Sequence, residues 1–410
     1  MAKTLSLFEA FGIELEYMIV AADSLDVCPI TDRVLHAVAG SYEGEVELGD
    51  ISWSNELALH VIELKTTDPI GSLAGLSDRF QANVARINDL LLAHHARLMP
   101  TAMHPWMNPH TEAKLWPHDY SVVYEAFNRI FDCTGHGWAN LQSVHINLPF
   151  ANDEEFGKLH AAIRLLLPLL PALAASSPIV ERRASGFCDT RLEVYRTNAK
   201  RVPSVSGLVI PEAVFTREAY EREIFAKMYA DIAPLDPDGT LQHEWLNSRG
   251  AIARFDRNAI EIRVLDIQEC PAADLAISSL IVETLRRLVA AEWSSTQVQQ
   301  TFATQRLAAI LMSVIRDADE AVIDDTEYLR AFGISVPTTA GKLWRRLATP
   351  LLESTTEFAP ALRVILEQGT LARRILKQVA NDSSDAGLHD TYRKLCNCLA
   401  TGRMFQPDEA

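Results

Sequence analysis

Apolar and polar residues alternate strictly from Gly12 to Val20: Ile13, Leu15, Tyr17 and Ile19 fall on one parity, Glu14 and Glu16 on the other. A period of two predicts a half-buried strand with both glutamates on one face, roughly 6–7 Å apart. Carboxylates that close repel, so this face is either solvated or set over a cation. Three later stretches share the pattern. His60 to Thr66 reads as a strand at the end of an acidic segment beginning at Trp53. Glu56 and Glu63 differ by an odd number, so either Glu56 lies on the approach to that strand or a bulge intervenes. From Gln142 to Pro149, Ser143, His145 and Asn147 share one face and Val144, Ile146 and Leu148 the other. From Ala259 to Gln268, Glu261 and Arg263 oppose Ile260, Ile262 and Val264.

Between these stretches the period lengthens. Leu73, Leu76, Phe80, Val84, Ile87 and Leu91 predict a helix over 72–97, with His94-His95 as its end. Shorter helices are expected over 120–131 and 153–175, the latter stopped by Ser176-Ser177-Pro178. From Asp274 to about Leu399 the chain reads as helical scaffold. The segment after the first strand, to about residue 45, is expected to be loop. Residues 99–119, rich in Pro, Trp and His, read either as a binding loop or lid or as a surface loop pinned by its tryptophans. No repeat or sharp linker interrupts the chain. The expected division is a sheet-containing catalytic region over 1–275 and a mainly helical region over 276–410 packed on it as one continuous domain.

Composition narrows the class. With 410 residues and a formal net charge of −16, the chain can bury a large core and lacks the basic stripe of a nucleic-acid surface. A nucleotide is still permitted, because local arginines and a metal can hold it. Glu181 to Pro211 concentrates Arg182, Arg183, Arg191, Arg196, Lys200 and Arg201, which suits a carboxylate or phosphate, or else balances surface charge. Cysteines 28, 133, 188, 270, 396 and 398 form no disulfide or zinc pattern, and Cys396 and Cys398 read as packing residues. The N-terminus lacks an apolar signal core, and the most apolar run, Leu165 to Ala175, is broken by Pro168 and Pro171. That run is shorter than the roughly 20 residues a membrane span needs. A cytoplasmic, reduced protein without membrane or nucleic-acid partners is expected.

Brought together on one sheet, the polar faces would supply Glu14, Glu16, Glu56, Glu63, His145 and Glu261 as ligands. Carboxylates with one imidazole suit two or three Mg²⁺ or Mn²⁺ ions rather than a thiolate-rich zinc site. Arginine beside such ligands suits phosphate chemistry. Neither the Gly-x-x-x-x-Gly-Lys-Ser/Thr loop nor the Gly-x-Gly-x-x-Gly turn is present.

The set resembles the type-2 glutamate–cysteine ligase and carboxylate–amine ligase family, which has the catalytic fold of glutamine synthetase. The matching pieces are Gly12-Ile13-Glu14-Leu15-Glu16, Glu56 with Glu63-Leu64-Lys65-Thr66, and Gln142-Ser143-Val144-His145. They continue through Ser176-Ser177-Pro178, Ser185-Gly186-Phe187 with Arg191, and Glu261-Ile262-Arg263-Val264-Leu265-Asp266, in the family's order over about residues 10–270. The resemblance implies an α+β fold whose antiparallel sheet forms a funnel, with ATP at one end and the amino-acid substrate at the other. It implies an ATP- and Mg²⁺- (or Mn²⁺-) dependent reaction in which a carboxylate, from glutamate or a related amino acid, becomes an acyl phosphate that an amine converts to an amide. Glu261 and Arg263 are then the expected catalytic pair, Arg263 meeting the phosphoryl group and Arg191 an ATP phosphate or substrate carboxylate. Partners are small amino-acid and amine substrates, and a homodimer is left open. Ser143 and Asn147 stand where short members commonly carry His and Gly, so the family's substrate-side contacts are not carried over, while the metal role of His145 is; the Trp-rich loop and Gly135 to Asn140 also look particular to this chain. Rival readings are a phosphotransferase on the same fold and a catalytically silent ATP- and metal-binding protein.

Overall fold

The computed structural model describes residues 4–408. Its centre is the opening strand β1 (Gly12–Ala21), whose Ile13, Leu15, Tyr17 and Ile19 are fully buried. The remaining strands are β2 (Glu45–Leu48), β3 (Ile51–Asn55), β4 (Val61–Thr66), β5 (Ala96–Met99) and β6 (Ser143–Pro149), then a separate hairpin of β7 (Ile179–Val180) and β8 (Arg183–Ala184), and finally β9 (Ala251–Arg254) and β10 (Ala259–Asp266). The main sheet has eight strands in the order β2-β3-β4-β1-β6-β10-β9, with β5 also paired to β1. Its pairings are all antiparallel. A two-residue pairing, Val322–Ile323 with Thr338–Thr339, lies apart in the C-terminal region.

The apolar parity of these strands joins one large core with the helices Leu76–Leu91, Asp153–Leu166 and Pro271–Val289. The opposite face is divided along β1. Beyond Glu14 and Glu16, its parity continues through Met18 and Val20, which pack with Leu371, Ile375, Leu388 and Leu395. The last two helices, Leu371–Asn381 and Asp385–Thr401, therefore cover one end of this face. The glutamates stand at the other end.

Several elements differ from their sequence reading. The stretch expected as loop before residue 45 contains the helix Thr31–Ala39, closed by Gly40 at a left-handed φ of 81°. The helix predicted over 72–97 ends at Leu91; a 3₁₀ turn follows, His95 turns left-handed at φ 49°, and the chain enters β5. Ala96 to Met99 carries little strand signal of its own, and its register comes from Met18 to Ala21 of β1. The acidic segment is a hairpin of β3 and β4, with Ser54 opposite Glu63 and Glu56 in the connection. In the basic segment read as loop-rich, Asp189 caps the helix Thr190–Asn198 by accepting from the Leu192 amide at 2.8 Å. In β10 a bulge separates Ile262, opposite Ile146, from Leu265, opposite Val144. The bulge resets parity and puts Asp266 opposite Ser143.

Residues 167–174 form a 3₁₀ turn and a short helix around Pro168 and Pro171, all buried. Among the described residues no helix is long and apolar enough to cross a membrane. All six cysteines are free. Burial pushes the Cys396 and Cys398 thiols up to about 12 and about 11, in keeping with packing roles.

Candidate active site

Register alone assembles the polar face. Glu14 lies opposite His145 on one side and Lys65 on the other, Glu16 opposite Glu63, and Glu261 opposite Asn147. Cross-strand partners share a face, so β4, β1, β6 and β10 present their polar residues together, and the β3–β4 turn adds Glu56.

Hydrogen bonds fix these side chains. Glu14 Oε2 meets His145 Nδ1 at 2.7 Å, and Glu14 Oε1 accepts from Asn147 Nδ2 at 2.9 Å. Glu16 Oε2 accepts from the Ser143 amide at 2.7 Å and the Ser143 hydroxyl at 3.0 Å; that hydroxyl also lies 3.0 Å from His145 Nε2. Glu63 Oε2 accepts from the Ser54 hydroxyl at 2.5 Å and lies 3.3 Å from Lys65 Nζ. Two ligand groups result, Glu14–Glu63–His145 and Glu16–Glu56–Glu63, with the ligand atoms of each within 4.8 Å of one another.

The electrostatics are those of crowded acids. Burial, then the charges of Glu16 and Glu63, push Glu56 well above the usual carboxyl range. Burial and Glu14 raise Glu63 to about 7 against the pull of Lys65 and Ser54. Burial alone would lower His145, but its hydrogen bond to Glu14 and the charges of Glu14, Glu16 and Glu261 raise it to about 9. Burial would likewise raise Glu14, yet His145, Lys65 and Asn147 hold it at about 2. Without a cation this cluster retains protons. Hard carboxylate oxygens around one imidazole fit Mg²⁺ or Mn²⁺, whose charge would offset the repulsion.

Glu261 stands beside these groups. Its Oε1 is 3.0 Å from Arg263 Nε and 3.7 Å from His145 Nδ1, while Oε2 is 3.4 Å from Arg254 Nη1. Burial disfavours the Arg263 charge, but Glu261 and further acidic neighbours hold the guanidinium firmly cationic. Arg191 is buried, donates from Nη2 to the Arg263 carbonyl at 2.9 Å and lies 3.6 Å from Asp266. Of the six cations in its segment, Arg191 lines a cavity of the site; the other five are exposed.

Two cavities meet at Glu56, His145 and Arg263. One, of about 550 Å³, is bordered by Lys65, Thr66, Thr67, Arg254 and Arg257. The other, of about 200 Å³, runs past Arg191 to Tyr124, Phe127, Trp138 and Trp245. Lys65 and Ser54 belong to the site and were not singled out from sequence, although Lys65 shares strand parity with Glu63. The Trp-rich loop borders neither cavity. Trp116 is buried with its Nε1 donating to the Asp119 carbonyl, and Trp106 packs on Tyr392 and His389, so the loop is pinned by its tryptophans.

Comparison with known proteins gives the family and the fold. A protein of Archaeoglobus fulgidus described as uncharacterized is 30% identical over 383 residues, covering 93% of this chain and 96% of its own. A Nocardioides protein named "Putative glutamate--cysteine ligase 2-1" is 26% identical over 286 residues, 69% of each chain. A glutamate–cysteine ligase of Francisella tularensis, solved in complex with AMP, superposes with a TM-score of 0.60 at 13% identity, covering 96% of this chain and 89% of its own. A bifunctional glutathione synthetase of Pasteurella multocida gives 0.64 at 13% identity; the match covers 96% of this chain but only 53% of that larger one. These structures share the fold, here an antiparallel sheet with surrounding helices. The family model for glutamate-cysteine ligase family 2 matches residues 10–394, and the chain belongs to that family.

Proposed function

We propose that the protein is an ATP-dependent carboxylate–amine ligase that joins glutamate, or a related amino acid, to an amine through an acyl phosphate. The observation that carries this reading is the meeting of two unlike cavities at one cluster of acidic ligands and Arg263. The larger cavity, with Lys65, Arg254 and Arg257, suits the phosphates of a nucleotide. The AMP held by the Francisella tularensis enzyme, which shares the fold, supports a nucleotide as one of the substrates. The smaller cavity, with Arg191 at its inner end, suits the amino-acid substrate.

Glu14, Glu63 and His145 would hold one divalent cation and Glu16, Glu56 and Glu63 another, with Glu261 adjoining through His145. When bound, such cations neutralise charge on the transferring phosphoryl group. Arg263, cationic and held by Glu261, lies where the substrate carboxylate meets the terminal phosphate. A carboxylate oxygen attacks phosphorus and ADP leaves; the amine nitrogen then attacks the acyl carbon, phosphate departs, and the nitrogen loses a proton. Arg191 orients the acyl donor by a charge-assisted contact.

The test is phosphate release from ATP with Mg²⁺ over a panel of amino acids and amines, with product masses. Amide formed together with ADP and phosphate is the expected result. A phosphorylated product without amide identifies a phosphotransferase, and ATP binding without turnover a silent binding protein; either overturns the reading. In the same assay Arg263→Lys cuts turnover by about two or more orders of magnitude with little change in ATP affinity, because a point charge cannot reproduce the planar fork. Near-normal turnover with a lowered melting temperature would reduce Arg263 to a structural partner of Glu261.

A further inference from the structure

The lining of the smaller cavity is of two kinds. Glu56, His145 and Arg263 line the part it shares with the larger cavity, and Glu16 and Arg191 belong with them. The rest includes a wall of rings from separate segments: Tyr124 and Phe127 on the helix Ser121–Phe131, Trp138 on the turn His136–Ala139, and Trp245 on the turn Glu244–Leu246. The Phe127 ring centroid lies 5.4 Å from that of Trp138 and 5.7 Å from that of Trp245, both tilted, and Phe131 stacks on Trp138 at 5.4 Å.

This wall is held in place. Trp138 Nε1 donates to the Asn198 carbonyl at 3.2 Å, and Asn198 Nδ2 donates to the Gly137 carbonyl at 3.1 Å. A Cβ on Gly137 would stand 2.9 Å from Asn198 Cβ, so the turn approaches the helix Thr190–Asn198 more closely than a larger residue allows. Tyr124 Oη is engaged by Asn55 Nδ2 at 3.1 Å.

Among the described residues the charged side chains lining this cavity are Glu16 and Glu56, which are part of the acidic ligand groups, His145, Arg191 and Arg263, and of the rings Tyr124 feels the charge of Glu56. An anionic group pressed against the rings would lose its water without gaining an ionic partner, and an ammonium would gain only the cation–π attraction of the ring faces. A flat apolar group would gain ring contacts. The cavity's about 200 Å³ must also take the acyl donor, and the room for a ring lies where a further hollow of about 450 Å³ adjoins it at Tyr124, Phe127 and Trp245. Glutamate as acyl donor brings no apolar group to the rings.

We propose that the amine substrate carries an aromatic ring or an equally bulky apolar group, seated against Phe127, Trp138 and Trp245. The assignment rests on the ligase reading and adds the class of amine. With ATP, Mg²⁺ and L-glutamate held constant, phenethylamine is compared with ethylamine and putrescine by phosphate release and product mass. Calorimetric titration of the same three amines gives a readout free of turnover. Phenethylamine is expected to exceed both by about tenfold or more in kcat/KM and in affinity, the scale on which a buried apolar group discriminates. Trp245→Leu should erase most of that preference while ATP affinity and melting temperature stay close to wild type; Trp138→Leu should do the same to the preference and leave ATP affinity unchanged, but loses the Asn198 hydrogen bond and with it some melting temperature. Equal or better use of ethylamine or putrescine overturns the proposal, as does a ring preference that survives in both variants. Selective phenethylamine binding without amide from any pair would sink the ligase reading and leave the ring wall standing. Amide formation from small amines with no ring preference would do the reverse.

Discussion

At the scale of single residues, the site crowds Glu14, Glu16, Glu56 and Glu63 around one imidazole. Glu63 is raised to about 7 and His145 to about 9, and both shifts set one pH dependence. Glu63 resists ionisation in the folded state, so its contribution to stability falls as pH rises from its unfolded value, near 4.3, through about 7. The protonated His145 contributes stability that is complete below about 6.5 and is lost as pH rises through about 9. Glu14, held at about 2, acts only in acid, below that window. Metal-free protein should therefore lose melting temperature from about pH 5 to 9. Mg²⁺ or Mn²⁺ should raise it more at pH 8 than at pH 6, with proton release on binding, because ligands must be deprotonated. Melting curves at several pH values with and without metal, and calorimetry in buffers of different ionisation enthalpy, check this. A metal effect that is the same at both pH values would mean that these groups do not ligate.

At the scale of elements, the β10 bulge decides where Arg263 stands. The Arg263 amide donates to the Gly250 carbonyl at 2.9 Å, and the Gly250 amide donates to the Val209 carbonyl at 2.7 Å. A Cβ on Gly250 would lie 2.5 Å from Val264 Cγ1 and 3.0 Å from Val209 Cγ1. Gly250→Ala must push the bulged strand aside. It should cost about 1–3 kcal/mol, the usual range for overpacking, and lower turnover by displacing the guanidinium. Denaturant unfolding and the ligase assay on this variant test both halves; unchanged stability would show that the bulge yields freely. The alternation of 259–264 is legible in sequence because its period is local. The bulge is not, because it arises from how β10 meets β6.

At the scale of the whole molecule, the C-terminal helices close one end of the polar face and are anchored near the end of β10. Arg374, in Leu371–Asn381, is paired with Glu269, and both are almost fully buried. Arg374 also donates to the Phe405 carbonyl at 2.8 Å, and the Phe405 amide donates to Glu269 at 3.3 Å. Arg374→Met leaves a buried carboxylate without its cation and should cost about 3–5 kcal/mol. Adding Glu269→Leu should recover much of the loss, since replacing both partners removes the unpaired charge. Melting temperatures of the two variants decide it; equal loss in both would mean that the tail contacts dominate.

The sequence by itself determined which residues each strand shows to which face. Glu14 with Glu16, Ser143 with His145 and Asn147, and Glu261 with Arg263 follow from a period of two that needs only neighbouring residues. It also carried the family resemblance, whose pieces lie within short runs. The tertiary structure decided strand order, the hairpin that brings Glu56 to Glu16 and Glu63, and the pairing that turns Ala96–Met99 into a strand. It alone showed the ring wall, because Tyr124 and Phe127 lie in one helix and Trp138 and Trp245 in two separate turns. Each of those rings reads locally as ordinary packing. Their convergence depends on contacts between distant segments, and no local period encodes those contacts.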